Sequence, residues 1–554
     1  MKDCFAHFLK FIDANAYVIL LAVFALWTMV GIFPLVCYEG DGMEVLFGCD
    51  LMSVNGWSLP PDYCYEYRMH PLLVVSIVSL HQLIPMLTCE QAYCLIAAVS
   101  SFVFFVGCVE FVRYIVGVRR VVVLLAAMLL PEMYAIAMYP NSAIPAAAIF
   151  IWALVLLYKD RYVVAGILMC VAPLFRVDIV AVYPVVYPLF LLKGKTQVKS
   201  IALSAAYAVL VVVVGLTGFW LLKAPVLQSL GGYAYWSNTI NSQQVLLAIF
   251  GFYSLSYLLL LPVGICAIVK KRLWKELFLV VLPIVLQHYI YRSMGCASKH
   301  YLYIAPFVII AGVRAFSLLG ELVRGRRWLQ WVCACLVIVF YTLSVRIIPE
   351  SKPWFEKDVL YNGGSVATFG SKKVSFGTVA VGVGAGQYIP TLDEKMLGSG
   401  QLFYPLYIHD NKCAIARERS QLKEALATVI DPTLKMLEWG TRGWLASMYL
   451  PDGYQLSSHG KSVKLSGKSQ VIRLLSDALV EDEKDVARLM KELKDSYASV
   501  VDAIYFVADS PRNKYNMERF CKRGMLEKVT PNLYKYNLSE DEIGHSTPAP
   551  STVG

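Results

Sequence analysis

The sequence predicts a polytopic α-helical membrane protein of about eleven transmembrane helices with external juxtamembrane helices, followed by a C-terminal extracytoplasmic α/β or α+β domain. Three observations carry that prediction. Apolar residues make up 58% of the 554, more than one soluble domain holds. They are gathered into repeated runs close to the ~20 residues that cross a bilayer as helix. Beyond about Pro349 the runs stop, and strand-like and amphipathic helical stretches follow.

The runs lie near 15–36, 91–112, 121–138, 143–158, 162–177, 179–192, 200–222, 246–269, 277–291, 301–319 and 328–348. The first follows Lys2 and Lys10 and exceeds the ~7–15-residue core of a signal peptide, so it reads as an uncleaved span. A twelfth run, 71–87, decides the topology. If it stays in the outer leaflet, 17 basic residues of the membrane part face the cytoplasm, and Arg68, Arg176, Lys223, Arg292, Lys299 and Arg346 face out. If it crosses, every later loop flips and the asymmetry inverts, against the positive-inside rule. The N-terminus is therefore expected in the cytoplasm, and residues 37–90 and the tail outside a cytoplasmic (inner) membrane. The domains expected are 1–348, membrane; 349–540, soluble; and 541–554, a polar disordered tail.

Within the soluble part, SVATFGSKKVSFGTVAVGVGAG reads as β-like, 415–437 and 477–496 as helix, 503–509 as strand, 515–524 as a short helix and 533–538 as strand. Residues 1–348 carry 24 Lys and Arg against 15 acids, and 349–554 carry 26 against 25. The basic excess thus belongs to the membrane part, where it reports topology rather than nucleic-acid binding. None of the 14 Cys has zinc-site or redox spacing. Cys37, Cys49 and Cys64 share one loop, and Cys413 and Cys521 the tail; disulfides within either set stay open.

Six of those 15 acids fall in 37–73, just after the first span. A carboxylate there can act as general base toward an acceptor hydroxyl. Asp41 lies between Gly40 and Gly42, which let the backbone approach a substrate; Glu39 and Glu44 are its nearest alternatives. Val45, Leu46, Cys49 and Leu51 or Met52 fall near one face of a helix lying on the membrane surface. Arg176 in LFRVDIV, and Arg292, Lys299 and His300 in YRSMGCASKHYLYIAPF, stand at outward span ends. A cation there can hold a lipid phosphate; equally, Arg176 can pair with Asp178 and the others reach lipid headgroups. Arg68 and His70, in YRMHPLL, precede a helix starting at Pro71; both are candidates to bind donor phosphate or lipid, and His70 could instead bind a sugar or cap the helix. His81 and His288, inside apolar runs, read as core histidines. Walker A, H-E-x-x-H and G-x-S-x-G motifs are absent, so no cofactor is expected and a divalent metal is not indicated.

These positions together resemble the type C (GT-C) membrane glycosyltransferases, the superfamily of protein O-mannosyltransferases and the lipid A aminoarabinose transferase. EGDGMEV resembles the acidic motif after the first span, YRMHPLL the His/Lys-Pro-Pro-Leu-like element, LFRVD the Thr-Arg-Pro-Glu-like corner, and KHYLYIAPF the late Arg-Tyr-Leu-Leu-Pro-like element. Gly42 stands where the family carries a second carboxylate, and His300 where it carries Arg. The resemblance implies inverting transfer of a sugar from a polyprenyl-phosphate donor to a glycolipid, glycan or protein acceptor outside the membrane. Asp41 would be the catalytic carboxylate, and Arg176, Lys299 and His300 would lie near donor phosphate or lipid. The alternatives are a lipid-linked saccharide flippase, with Glu110, Glu132 and Arg314 as its intramembrane charges, and an O-antigen ligase- or polymerase-like enzyme.

Overall fold

The structure, a computed structural model, describes residues 2–37, 45, 46, 49, 52, 70–130, 133, 140–222, 242–291, 298–324, 328, 332 and 347–349. Beyond these it describes 365–369, 372–376, 409, 412, 413, 416, 417, 420, 435–439, 455–457, 470–474, 503–507, 517, 518, 520–531 and 533–537. Contacts divide the chain into two units, Met1–Cys413 and Ala414–Gly554.

The first unit is built on helices: α1 (Lys2–Ile32), α2 (Pro71–Leu83), α3 (Cys89–Val116), α4 (Arg120–Met128), α5 (Ala143–Tyr158) and α6 (Tyr162–Phe175). A 3-10 helix, Val177–Val185, runs on into α7 (Val186–Leu192), followed by α8 (Gln197–Leu221), α9 (Ser242–Lys270) and α10 (Trp274–Tyr291). A second 3-10 helix, Ser298–Ile304, leads into α11 (Ala305–Leu322). Among the described residues four stretches are long and apolar enough to cross a membrane: Ala14–Ile32, Cys89–Val116, Gln197–Leu221 and Tyr301–Leu322. At 13 residues, α2 is ~20 Å long, shorter than the ~30 Å hydrocarbon core.

Local chemistry sets the ends of these helices. Thr88 and Gln91 form a reciprocal capping box that starts α3, and Gly117, at φ 75°, ends it in the left-handed conformation. The Thr196 hydroxyl accepts from the Lys199 amide to start α8. Within the spans, Thr28 donates to the Phe24 carbonyl at 3.0 Å and Ser101 to Ala97 at 2.8 Å, so neither hydroxyl faces hydrocarbon unbonded. On α8, Val209, Val213, Leu216 and Trp220 are exposed, as suits a helix whose solvent is lipid. Small residues let α9 and α11 come together: a Cβ on Gly264 would run into the Ala311 backbone, and one on Gly312 would stand 2.6 Å from the Tyr257 hydroxyl.

Tyr114 of α3 stacks on Tyr158 of α5 at 5.8 Å, so these helices run parallel with their C-termini together. That end gathers basic residues. Glu110 is paired by Arg113 at 2.9 Å and Arg120 at 2.5 Å, Lys193 pairs with Asp160 at 2.5 Å, and Lys159 sits over the Tyr114 ring. The N-termini of α3 and α5, with the C-terminus of α6, form the opposite end.

The first unit also holds an antiparallel sheet, order β1-β3-β2, of β1 (Ile347–Pro349), β2 (Ser365–Phe369) and β3 (Lys372–Phe376). The second unit has a six-stranded sheet of β4 (Lys435–Trp439), β5 (Gln455–Ser457), β6 (Gln470–Leu474), β7 (Ala503–Val507), β8 (Glu527–Thr530) and β9 (Leu533–Asn537). Its order is β5-β4-β6-β7-β9-β8, the first four parallel and the last two antiparallel. The helix expected over 415–437 is corrected at its end. Lys435 begins β4, which pairs on both sides, and that pairing outweighs helical propensity. The helix expected over 477–496 lies outside the described residues. Cys37 and Cys49 are buried, and Cys413 and Cys521 are half-buried; Cys64 is outside the described set.

Candidate active site

The site is assembled at the end of the bundle opposite the basic one. Arg176 ends α6 in extended backbone, its amide bonded to the Ala172 carbonyl at 3.1 Å, and the 3-10 helix starts at once. This abrupt change of helix turns the guanidinium inward, where it is 3% exposed. Its Nε donates to Asp178 Oδ2 at 2.9 Å and its Nη1 to Ser142 Oγ at 2.7 Å. Ser142 is held just before α5, where the Asn141 side-chain oxygen accepts from the amides of Ala143 and Ile144. Asp178 Oδ1 accepts from the Tyr303 hydroxyl at 2.9 Å. A buried polar chain thus runs Ser142–Arg176–Asp178–Tyr303. Of the two roles open to Arg176 in the sequence, pairing with Asp178 is the one the geometry displays.

Tyr303 belongs to the second 3-10 helix, Ser298–Ile304, which also carries Lys299 and His300. The turn bearing both is therefore docked on the Arg176 corner, although their side chains lie outside the described set. His70 is buried at 2% exposure, and its carbonyl accepts from the amides of Leu73 and Val74 to start α2. Glu39, Asp41, Glu44, Arg68, Arg292 and the intramembrane candidate Glu132 all lie outside the described residues. The flanks of the acidic loop do not. Val45, Leu46, Cys49 and Met52 are helical and buried, the face that the spacing predicts. Cys37 donates its amide to Glu90 Oε1 at 2.6 Å, tying the loop's other flank to the first turn of α3.

Other ionisable groups have mundane partners. Arg314 makes two 2.6 Å bonds to the Glu276 carboxylate, and Glu110 is paired as above. His288 Nδ1 donates to the Ile284 carbonyl at 2.7 Å, and its ring packs on Tyr253 and Tyr301. His81 Nδ1 donates to the Leu87 carbonyl at 2.5 Å. Both are half-buried with a carbonyl partner: His288 packs among aromatic rings, whereas His81 stands beside the exposed residues 82–86 rather than in the core. Among the described residues no group of three or more His, Cys, Asp and Glu gathers where it could hold a metal ion.

Four residues join the site that sequence reasoning did not single out. Ser142 follows Pro140 and Asn141, residue types that favour turns, and Tyr303 stands inside KHYLYIAPF, so both had a nearby signal. Lys412 and His409 had none: Lys412 Nζ donates to the Ile32 carbonyl at 2.8 Å and His409 Nδ1 to the Phe33 carbonyl at 2.7 Å. Lys412 is 1% exposed, and burial pushes its ammonium down to about 8.

No family model and no curated protein sequence matches the chain. Solved structures do. ArnT from Cupriavidus metallidurans in the apo state superposes with a TM-score of 0.53 at 12% identity, over 96% of this chain and 100% of that one. The same protein bound to undecaprenyl phosphate gives 0.51 at 13% identity, with the same coverage. The archaeal oligosaccharyltransferase AglB from Archaeoglobus fulgidus, with an inhibitory peptide and a dolichol-phosphate, gives 0.41 at 11% identity over 90% of this chain and 70% of that one. The chain therefore shares the membrane fold of ArnT over nearly its whole length.

Proposed function

We propose that the protein is an inverting membrane glycosyltransferase that moves a sugar from a polyprenyl-phosphate donor to an acceptor on the extracytoplasmic face, with Asp41 as general base. The observation that carries the reading is the Arg176 corner. A cation and its carboxylate are buried at the ends of α5 and α6, and the turn bearing Lys299 and His300 is docked on them. The shared fold adds support, since the ArnT structure contains undecaprenyl phosphate. Among the described residues Glu110 and Arg314, two of the three charges a flippase would use, are held in ion pairs.

The chemistry needs little more than placement. An acceptor hydroxyl attacks the anomeric carbon, its proton passes to the Asp41 carboxylate, and the carbon–oxygen bond to phosphate breaks. The bonding pair leaves with the polyprenyl phosphate, whose charge the cations of Lys299 and, when protonated, His300 stabilise. Arg176, neutralised by Asp178, orients this corner. Eleven spans with the N-terminus in the cytoplasm, and residues 37–90 and the C-terminal domain outside, place these groups on one face. The test is mass analysis of membrane glycolipids, glycans and glycoproteins with and without the chain. A sugar-bearing species should vanish without it and return with the wild type. Movement of a lipid-linked sugar with no new glycosidic bond would sink the reading in favour of transport.

A further inference from the structure

We propose that Lys412 and His409 are positioning residues: they clamp the exit of α1 and so hold the seven-residue segment 38–44, with Glu39, Asp41 and Glu44, in its working place. The inference rests on the catalytic reading of that segment. A helix C-terminus leaves its last carbonyls without intrahelical partners and carries a partial negative charge. α1 meets both needs from more than 370 residues away. Lys412 takes the Ile32 carbonyl and His409 the next one, Phe33. Residues 409, 412 and 413 are helical, and the i, i+3 spacing puts both donors on one face. A buried ammonium is costly unless it is compensated. Besides the carbonyl, the Glu90 carboxylate and the Cys37 and Cys94 side chains are near enough to favour its charged form electrostatically.

Glu90 links this clamp to the loop. Its carboxylate accepts from the Cys37 amide at 2.6 Å and adds a favourable electrostatic interaction with the Lys412 ammonium. Ile32, Phe33 and Cys37 are thus three fixed points on a six-residue path. At the far flank, Val45 and Leu46 are 1% and 2% exposed. Both flanks, Cys37 and Val45, are held, and Asp41, four residues past Cys37 in the chain, can lie at most ~14 Å from it. Loosening the α1 exit would let that radius drift, and a displacement of ~1 Å can cost ~100-fold in rate.

Amide hydrogen exchange of the whole protein in detergent tests this without any substrate. In Lys412→Met and in His409→Ala, exchange across 34–46 should rise roughly tenfold to a hundredfold, while α5 keeps its protection. Lys412→Arg, which retains a charged donor, should restore most of it. Unchanged exchange over 34–46 in both variants overturns the proposal. So does an increase spread evenly over α3 and α5, because that would make the pair ordinary packing. Asp41→Asn separates this inference from the one beneath it. Full transfer by that variant removes Asp41 as the base, while the exchange result decides the clamp by itself.

Discussion

Where α3 and α5 finish, charge stands near the surface: the side chains of Lys271 and Glu321, at the matching end of α9 and α11, are 34% and 54% exposed in their ion pair. At the opposite end Arg176 and Asp178 make an ion pair of similar length with side chains only 4% and 8% exposed. Exposed pairs contribute little, because water solvates each charge almost as well as the partner does. A buried pair is different, since each charge survives only through its partner and the hydrogen bonds around both. Burial alone does not set the Arg176 corner apart, because Arg314 and Glu276 pair with side chains 15% and 4% exposed; what sets it apart is that its pair is extended by hydrogen bonds to Ser142 and to Tyr303, on the turn that carries Lys299 and His300.

The sharpest way to break that contrast is at the acidic stretch that follows Cys37, whose amide is bonded to Glu90 in the first turn of α3. Asp41→Asn should cut transfer by ~10²–10⁴, the range of a general base, while leaving the amount of inserted protein and its melting temperature unchanged. Product formed at the wild-type rate would move the base to Glu39 or Glu44, which the same substitution to Gln can separate.

Next in size is the buried corner itself. Arg176→Met should destabilise the fold by ~3–5 kcal/mol, because Asp178 stays behind as a buried charge. The double variant Arg176→Met with Asp178→Leu should regain much of that loss in thermal unfolding while losing transfer. Lys271→Gln at the other end should leave the unfolding curve where it was. Equal losses at the two ends would erase the distinction drawn here.

How far this was legible follows from the distance over which each signal acts. The limits of α5, 143–158, match the apolar run residue for residue, since a Pro140-Asn141 turn and Lys159 bracket it. The Arg176–Asp178 pair sits two residues apart, and the buried face Val45, Leu46, Cys49 and Met52 is a helical repeat; both can be seen locally. Strand β4 was missed because KMLEW becomes a strand only through neighbours at 455–457 and 470–474. The clamp by Lys412 and His409 was invisible for the same reason, as no local pattern marks a donor for a carbonyl 380 residues earlier.

The two ends are tied together by helices that touch backbone to backbone, which gives a smaller handle. Gly264→Val would push α9 off Ala311 and should cost ~1–3 kcal/mol, as overpacking does. Measured by thermal unfolding, it should lower stability without selecting one end; a loss of transfer at full stability would mean that this contact transmits geometry to the site.

The smallest effect is a pH dependence at the α1 exit, and its sign is determined. Lys412 titrates near 8 in the folded protein, against ~10.4 for a free side chain. Between these values the unfolded chain binds the extra proton, so stability rises with pH through that window; below about 8 the full cost of burying the ammonium is present. The difference between wild type and Lys412→Met isolates the lysine. That difference in unfolding free energy should favour the wild type more at pH 10 than at pH 7.5, and a difference independent of pH would show that the lysine is not titrating where its burial puts it.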